Sequence, residues 1–335
     1  MSPDSSSEII VRERIVGAPP QGGASERSRP RTTAKRRVNE CMDLDAPFIR
    51  SSKRAQVLGS DVGRVVVRLS RPGLRLYVVR ASGLRFDSCV LSCGLRARLA
   101  RYRSTMQVVL KGRLVVRRAT ELSVGPGQGI AEWHHEWDER WCGDEFEVLV
   151  VEWGEAIGER APVIPSIFDL PASPLSTLAD LGRCLLKDAV VSRARLDSVQ
   201  SALGELGVRL VPFRSLPPAP SFGQPAASAL SKVFSNLQKA SHVQIAEHLG
   251  CTQRHTRRVL EQVAPWIDAD ESIGRFREAL RAERVQAAAQ LLTAKGPSLE
   301  EVSSSVGYGS VRAMLRAFEA LGVASPSRIR RLVGS

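Results

Sequence analysis

The chain is short of most features that announce an enzyme or a membrane protein. Among its 335 residues no apolar run approaches the length of roughly 18 that a membrane helix needs, so no spanning segment is expected. The first 20 residues lack a basic start followed by an apolar stretch, which argues against a secretory leader. Cysteine occurs at positions 41, 89, 93, 142, 184 and 251, with no Cys-x-x-Cys pair and no dense disulfide frame. Reduced thiols in a cytosol are the expectation. No Gly-x-Ser-x-Gly, phosphate-binding loop or His-Glu-x-x-His motif is present, and the acidic residues form no convincing acid and base pair. No catalytic residue, no metal and no cofactor are therefore expected.

What the chain has in excess is positive charge. Its formal net charge is +13, carried more by arginine than by lysine. Such a balance favours an anionic partner, nucleic acid or an acidic membrane surface. Hydrophobic residues make up 43 % of the chain, enough for two or three domains with cores of their own.

Residues 1–55 read as a disordered basic arm, rich in Ser, Pro and Gly and holding the charged run Arg27–Arg37. From 56 to 160 short β-branched and Leu-rich stretches alternate with turns. Arg64–Leu69, Leu74–Arg80, Gln107–Leu110, Arg113–Val116 and Glu147–Glu152 are the candidate strands, punctuated by Pro72-Gly73, Lys111-Gly112 and Gly125-Pro126-Gly127. That texture predicts a barrel or sandwich. Residues 172–212 carry Leu175, Leu178, Leu181 and Leu185, then Leu196, Val199, Leu203 and Leu206, at helical spacing. They predict a helix pair that packs on the β domain or dimerises. Segment 213–227 holds four prolines within Ser215–Pro225 and is expected to be an exposed, extended linker.

From 228 to 335 the pattern is helical throughout and contains one motif twice. Ser241 and Gln244 fit a capping box that opens a short helix, Gly250 supplies a left-handed stop, and Thr252 can cap the next helix. Ser298 and Glu301 repeat the box, Gly307 repeats the turn, and a second helix follows over Ser310–Ala320, with Met314 and Phe318 facing inward. A long helix, Ser272–Leu292, joins the two units. A helix-turn-helix presents the N-terminal half of its second helix to the major groove. The residues so placed are Gln253, Arg254, Arg257 and Arg258 in the first unit, and Ser310, Val311, Arg312 and Arg316 in the second. Arginine can hold guanine O6 and N7 with two bonds, or it can pair with phosphates and add affinity without sequence information.

The segment from about Ala229 to Leu332 resembles the DNA-binding domain of the AraC/XylS family of bacterial transcription regulators. Arg284 with Ala288–Leu292, Leu299–Val302, Gly307-Tyr308, Arg316–Phe318 and Ser325-Pro326 with Arg330 carry the resemblance. It covers about 100 of 335 residues. The chain departs from the family pattern at Thr256, where a buried Leu is usual, at Ser303 for Ala, Met314 for Phe and Ile329 for Tyr, and Gly322 comes one residue early. The resemblance implies two recognition helices in successive major-groove faces, roughly 34 Å apart. It also implies a cupin-like β barrel before the DNA-binding domain, double-stranded DNA as partner, RNA polymerase by analogy, and a bacterial cytoplasm with its nucleoid as the location.

One patch, Ala131–Glu147, stands apart. Trp133, Trp137 and Trp141 recur every four residues beside His134, His135, Glu136, Asp138 and Cys142. A metal site would want histidines on one face, and neighbours on a strand point to opposite faces. The tryptophans suit an effector pocket, or aromatic packing that closes a barrel mouth or an interface. The expectation is an α+β protein: a β-rich cupin-like barrel followed by helices, then an all-α domain with two helix-turn-helix units. Its function would be sequence-specific transcription regulation, with the first half sensing a small effector or forming a homodimer. The alternatives are a constitutive or architectural DNA-binding protein whose β domain only self-associates and, further off, a cupin-type metalloenzyme.

Overall fold

The computed structural model describes residues 47–57, 61–83, 86–87, 104–117, 121–133, 138–159, 166–187, 189–267 and 276–334. Among the described residues nine strands form one antiparallel sheet: β1 (Ile49–Gln56), β2 (Gly63–Arg71), β3 (Leu74–Ser82), β4 (Phe86–Asp87), β5 (Ser104–Arg117), β6 (Glu121–Val124), β7 (Gln128–Trp133), β8 (Asp138–Trp153) and β9 (Ser166–Asp169). The spatial order is β1-β2-β3-β8-β5-β7-β9, with β4 on β8 and β6 on β5. Nine α-helices are found among the described residues, all after the sheet: α1 (Ala172–Leu186), α2 (Arg193–Glu205), α3 (Gly223–Phe234), α4 (His242–Leu249), α5 (Gln253–Ile267), α6 (Phe276–Leu291), α7 (Leu299–Ser305), α8 (Val311–Ala320) and α9 (Pro326–Gly334). The layout is α+β, as the sequence leads one to expect.

The sheet buries both faces, which is why the centres of β3 (Leu76–Val79) and β8 (Val148–Val151) run apolar without alternation. Leu74, Leu76 and Val78 of β3 join Leu149 and Val151 of β8 and Met106 and Val108 of β5 on the first face. Against them lie Leu178, Leu181 and Leu185 of α1 and Leu196, Val199 and Leu203 of α2, so the leucine spacing of both helices marks the side packed on the sheet. The second face holds Val66, Val79, Phe146, Val148 and Val150, together with Ala294 from beyond α6. Polar residues share it. The Glu152 carboxylate accepts from the Tyr77 hydroxyl at 2.7 Å and from Arg75 Nη1 at 2.9 Å. Burial first, and the Glu152 charge second, push the Tyr77 hydroxyl well above its ordinary pKa.

Two expectations change. Gln107–Leu110 and Arg113–Val116 are one strand, β5, because the Lys111-Gly112 step is not a turn. Gly112 adopts φ +80° and the pairing with β8 shifts register there, so the irregularity is absorbed inside the strand. Residues 49–55, expected within the disordered arm, form most of β1; the rest of the arm up to residue 46, with Arg27–Arg37, lies outside the described residues. Arg50, Lys53 and Arg54 hide the strand in the sequence, because no apolar alternation survives them.

The free edge of β1 is closed by a helix. Gln224 of α3 accepts from Arg50 N at 2.7 Å and donates to Arg50 O at 3.1 Å, and Ser231 Oγ accepts from Ser52 N at 2.9 Å. Helix side chains thus take the place of a neighbouring strand. The approach is close: a Cβ on Gly223 would lie 2.5 Å from Ile49 Cδ1. Segment 213–227, expected to be an exposed, extended linker, instead contributes the first turn of this helix and part of the contact. Phe213 is buried, edge-on to Phe48 at 5.5 Å, and α3 starts at Gly223. Ile49 and Val57 accordingly share one apolar core with the helices α3 to α9.

Candidate nucleic-acid interface

The first helix pair is α4 and α5. Ser241 Oγ accepts from Gln244 N, and Gln244 Oε1 accepts from Ser241 N, both at 3.2 Å, closing the capping box. Gly250 ends α4 at φ +64°, in the left-handed region, and Cys251 N donates back to Ala246 O at 3.1 Å. Thr252 Oγ1 accepts from His255 N at 3.3 Å and starts α5. Ile245, Ala246, Val259, Leu260 and Val263 are buried between the pair. Thr256 is buried among them, and its hydroxyl donates to Thr252 O at 3.0 Å, so the polar departure from the usual Leu is satisfied.

That packing turns the other side of α5 to solvent. Gln253, Arg254, Arg257 and Arg258 are all exposed, as the sequence places them. Glu261, overlooked in the sequence, stands one turn beyond Arg257 and accepts from its Nε at 3.1 Å. A signal for it was present in the i, i+4 spacing. His242, at the start of α4, lies edge-on to Phe276 at 5.7 Å. Partial burial first, then the Arg257 charge, hold its imidazole pKa below the ordinary value.

The second pair is α7 and α8. Ser298 Oγ accepts from Glu301 N at 3.1 Å and Glu301 Oε2 accepts from Ser298 N at 2.6 Å. These bonds to its charged form hold the Glu301 carboxyl below the usual range. Gly307 makes the turn at φ +86°. Ser310 Oγ accepts from Ala313 N at 3.2 Å, so Ser310 is the cap of α8 rather than its first residue, and its hydroxyl is exposed. Met314, Ala317 and Phe318 face the core. Arg312 and Arg316 face solvent, one turn apart, while Val311 is half-buried against the apolar core. Leu315, not singled out in the sequence, is 41 % exposed on the same side as the two arginines, three residues after Arg312.

Besides its share of the apolar core, the second unit is fixed by a polar junction. Arg284 of α6 donates from Nε and Nη2 to Leu237 O, at 3.1 and 2.7 Å, and its guanidinium lies over the Tyr308 ring at 5.8 Å. Gly307 sits against the same point: a Cβ there would lie 2.6 Å from Leu237 O and 2.7 Å from Gln238 Cα. Gln238 Nε2 donates to Ser304 O at 2.8 Å. The α3–α4 connection, α6 and the second turn are thereby tied together. Burial pushes the Tyr308 hydroxyl up to about 12, against the opposing Arg284 charge.

The first unit leans on the sheet instead. Helix α5 packs on β1 and β2, and the Arg71 guanidinium at the end of β2 lies over the Trp266 ring at 5.7 Å. Helix α6 is described from Phe276; the start expected at Ser272 lies outside the described residues. Of the tryptophans expected to line an effector pocket, Trp137 lies outside them too, as do His134, His135 and Glu136; Trp133 ends β7 and Trp141 lies in β8, with only their backbone described. No described helix is long and apolar enough to cross a membrane.

No protein-family profile matches the chain, and no curated protein matches it by sequence. Among solved structures, ToxT from Vibrio cholerae aligns at 10 % identity and a TM-score of 0.31, over 77 % of this chain and 98 % of that one. ToxT from Vibrio cholerae O395 aligns at 11 % and 0.31, over 86 % and 99 %. An HTH_3-family transcriptional regulator from Vibrio cholerae aligns at 10 % and 0.21, over 27 % of this chain and 51 % of its own. Values this low say nothing of the chemistry of the two helix pairs.

Proposed function

We propose that the chain is a sequence-specific DNA-binding transcription regulator with two unequal reading heads, α5 and α8, and a β-sheet half that senses a small effector. The observation that carries this reading is that each helix pair exposes arginines near the start of its second helix while burying the opposite side. Arg254, Arg257 and Arg258 do so on α5, Arg312 and Arg316 on α8. The net charge of +13 supplies the nonspecific attraction to a phosphate backbone. The resemblance of residues 229–332 to the AraC/XylS DNA-binding domain supports the same reading. In this proposal the 228–335 segment binds DNA and the 56–160 segment senses.

The test is selection of bound duplexes from a random-sequence library by the full chain. Enrichment of one bipartite site, with its halves about one helical turn apart, is the expected result. Recovery of no preferred sequence would overturn sequence-specific reading and leave at most an architectural protein.

A further inference from the structure

Helix α8 leaves one apolar side chain without a role in the fold. Leu315 is 41 % exposed, and among the described residues it is the one large hydrophobic residue exposed on either α5 or α8. It belongs neither to the apolar core of the helical half nor to the half-buried residues packed against that core, which include Val311. Leu315 follows Val311 by four residues, as Arg316 follows Arg312, so an apolar row runs along α8 beside a cationic row. An exposed leucine leaves its hydrophobic free energy unrealised until it meets another apolar group. Its neighbours limit what that group can be. An apolar protein surface laid over Leu315 would strip water from the exposed Arg312 and Arg316, and unpaired charges are costly to bury. Glu319, exposed one turn beyond Leu315, would be repelled by an anionic bilayer. The major groove of DNA offers both characters side by side: guanine N7 and O6 for arginine, and the C5 methyl of thymine for an apolar side chain.

We infer that Leu315 is a specificity-determining residue that reads the C5 methyl of a thymine, next to a guanine held by Arg312 or Arg316. The inference rests on the function proposed above and names part of what the second reading head selects. Arginine makes the strong contact, and leucine separates the two pyrimidines, because cytosine lacks the methyl group. Helix α5 has no counterpart. Its candidates for base contact, Gln253, Arg254, Arg257 and Arg258, are all polar and recognise hydrogen-bonding edges. The two heads therefore differ in kind: α5 responds to hydrogen-bonding edges alone, and α8 responds also to an apolar group in the groove.

The experiment takes the duplex most enriched from the random library and replaces each thymine in turn with deoxyuridine, which removes the C5 methyl and leaves base pairing intact. Anisotropy titrations give the affinity of the full chain, of Leu315→Ala and of Leu315→Met for each duplex. For the unaltered chain, one replacement within one half-site should weaken binding about three- to fivefold, the effect of returning one apolar carbon to water. Leu315→Ala should bind the original duplex more weakly and should no longer distinguish it from that uracil duplex. Leu315→Met, which keeps an apolar side chain of similar size, should retain the distinction. A selected site without a methyl-sensitive thymine overturns the inference, and so does a uracil penalty that persists unchanged in Leu315→Ala. Loss of self-association in Leu315→Ala, with its methyl dependence intact, would assign the side chain to a second copy of the chain and overturn the inference too. A chain that selects no duplex refutes the proposed function and this inference together. A chain that selects a duplex indifferent to every thymine methyl refutes this inference alone, so the two failures are distinct.

Discussion

The two helix-turn-helix units share a grammar and differ in what holds them. Each opens with a reciprocal capping box and turns on a glycine of positive φ. Around Gly250 nothing lies within 4 Å of where a Cβ would be, whereas around Gly307 the backbone at Leu237 and Gln238 is already in contact. The first turn needs glycine only for its conformation; the second needs it also for room. Helix α5 leans on the sheet through Trp266 and Arg71, while the turn before α8 is set by Arg284 on α6. Two copies of one motif can therefore answer to different neighbours, and a change in the sheet meets the first unit directly and the second through α6.

The sharpest way to break this contrast is to add a methyl group at each turn. Gly307→Ala must adopt φ +86° and push against Leu237 O at 2.6 Å, so a loss of roughly 3 kcal/mol or more is expected. Gly250→Ala has only its φ of +64° to contend with and should cost about 1–2 kcal/mol. Chemical denaturation of both variants decides it; equal costs would remove the distinction between the two turns.

Next in size is the effect on DNA. Arg316 makes no ion pair among the described residues, whereas Arg257 is held by Glu261. Arg316→Ala should lose about 1–3 kcal/mol on the selected duplex and much less on random duplex. Arg257→Ala should lose less, and, if the proposed interface holds, Glu261→Gln should tighten binding by freeing Arg257 and removing a negative charge beside it. Anisotropy titrations on both duplexes test this, and equal losses on both would demote Arg316 to a phosphate contact.

The buried hydroxyls separate the units by sign. Thr256 Oγ1 donates to Thr252 O, so Thr256→Val should destabilise by about 1 kcal/mol. Ser303 is also buried, but its Oγ has no partner, so Ser303→Ala should stabilise by up to about 1 kcal/mol. Melting curves of the two variants that move the same way would count against this account.

The smallest effect is the pH dependence that His242 gives the first unit. Folding lowers the His242 pKa below its ordinary 6.5, so the unfolded chain takes up the proton more readily. The contribution of the neutral imidazole is present above pH 6.5 and declines as the pH falls through the lower folded value. His242→Gln should flatten this slope in melting experiments; an unaltered slope would assign it to other groups.

Much of the helical half is legible from local signals. Ser241, Gln244, Ser298 and Glu301 are near in sequence to the groups they cap, and Met314 and Phe318 reveal the inner side of α8 by spacing. The arginines of α5 and α8 follow, because an amphipathic helix that buries one side must expose the other. The sheet is less legible. Strand β1 is masked by its own charges, and the continuity of β5 depends on a register shift against β8 that no residue of β5 announces. Leu315 and Glu261 carry no positive charge, and it is cations that mark base-reading residues in a sequence.

By itself, the sequence determined the caps, the turns, the inward faces of the helices and the excess of positive charge, since all of these act within a few residues or add up over the whole chain. Only the tertiary structure decided that α3 closes the edge of β1, that Lys53 meets Glu283 across 230 positions, and that Gly307 is hemmed in by Leu237. Those contacts join segments far apart in the chain. Their energy depends on shape and charge complementarity between packed elements, and no local pattern of residues encodes it.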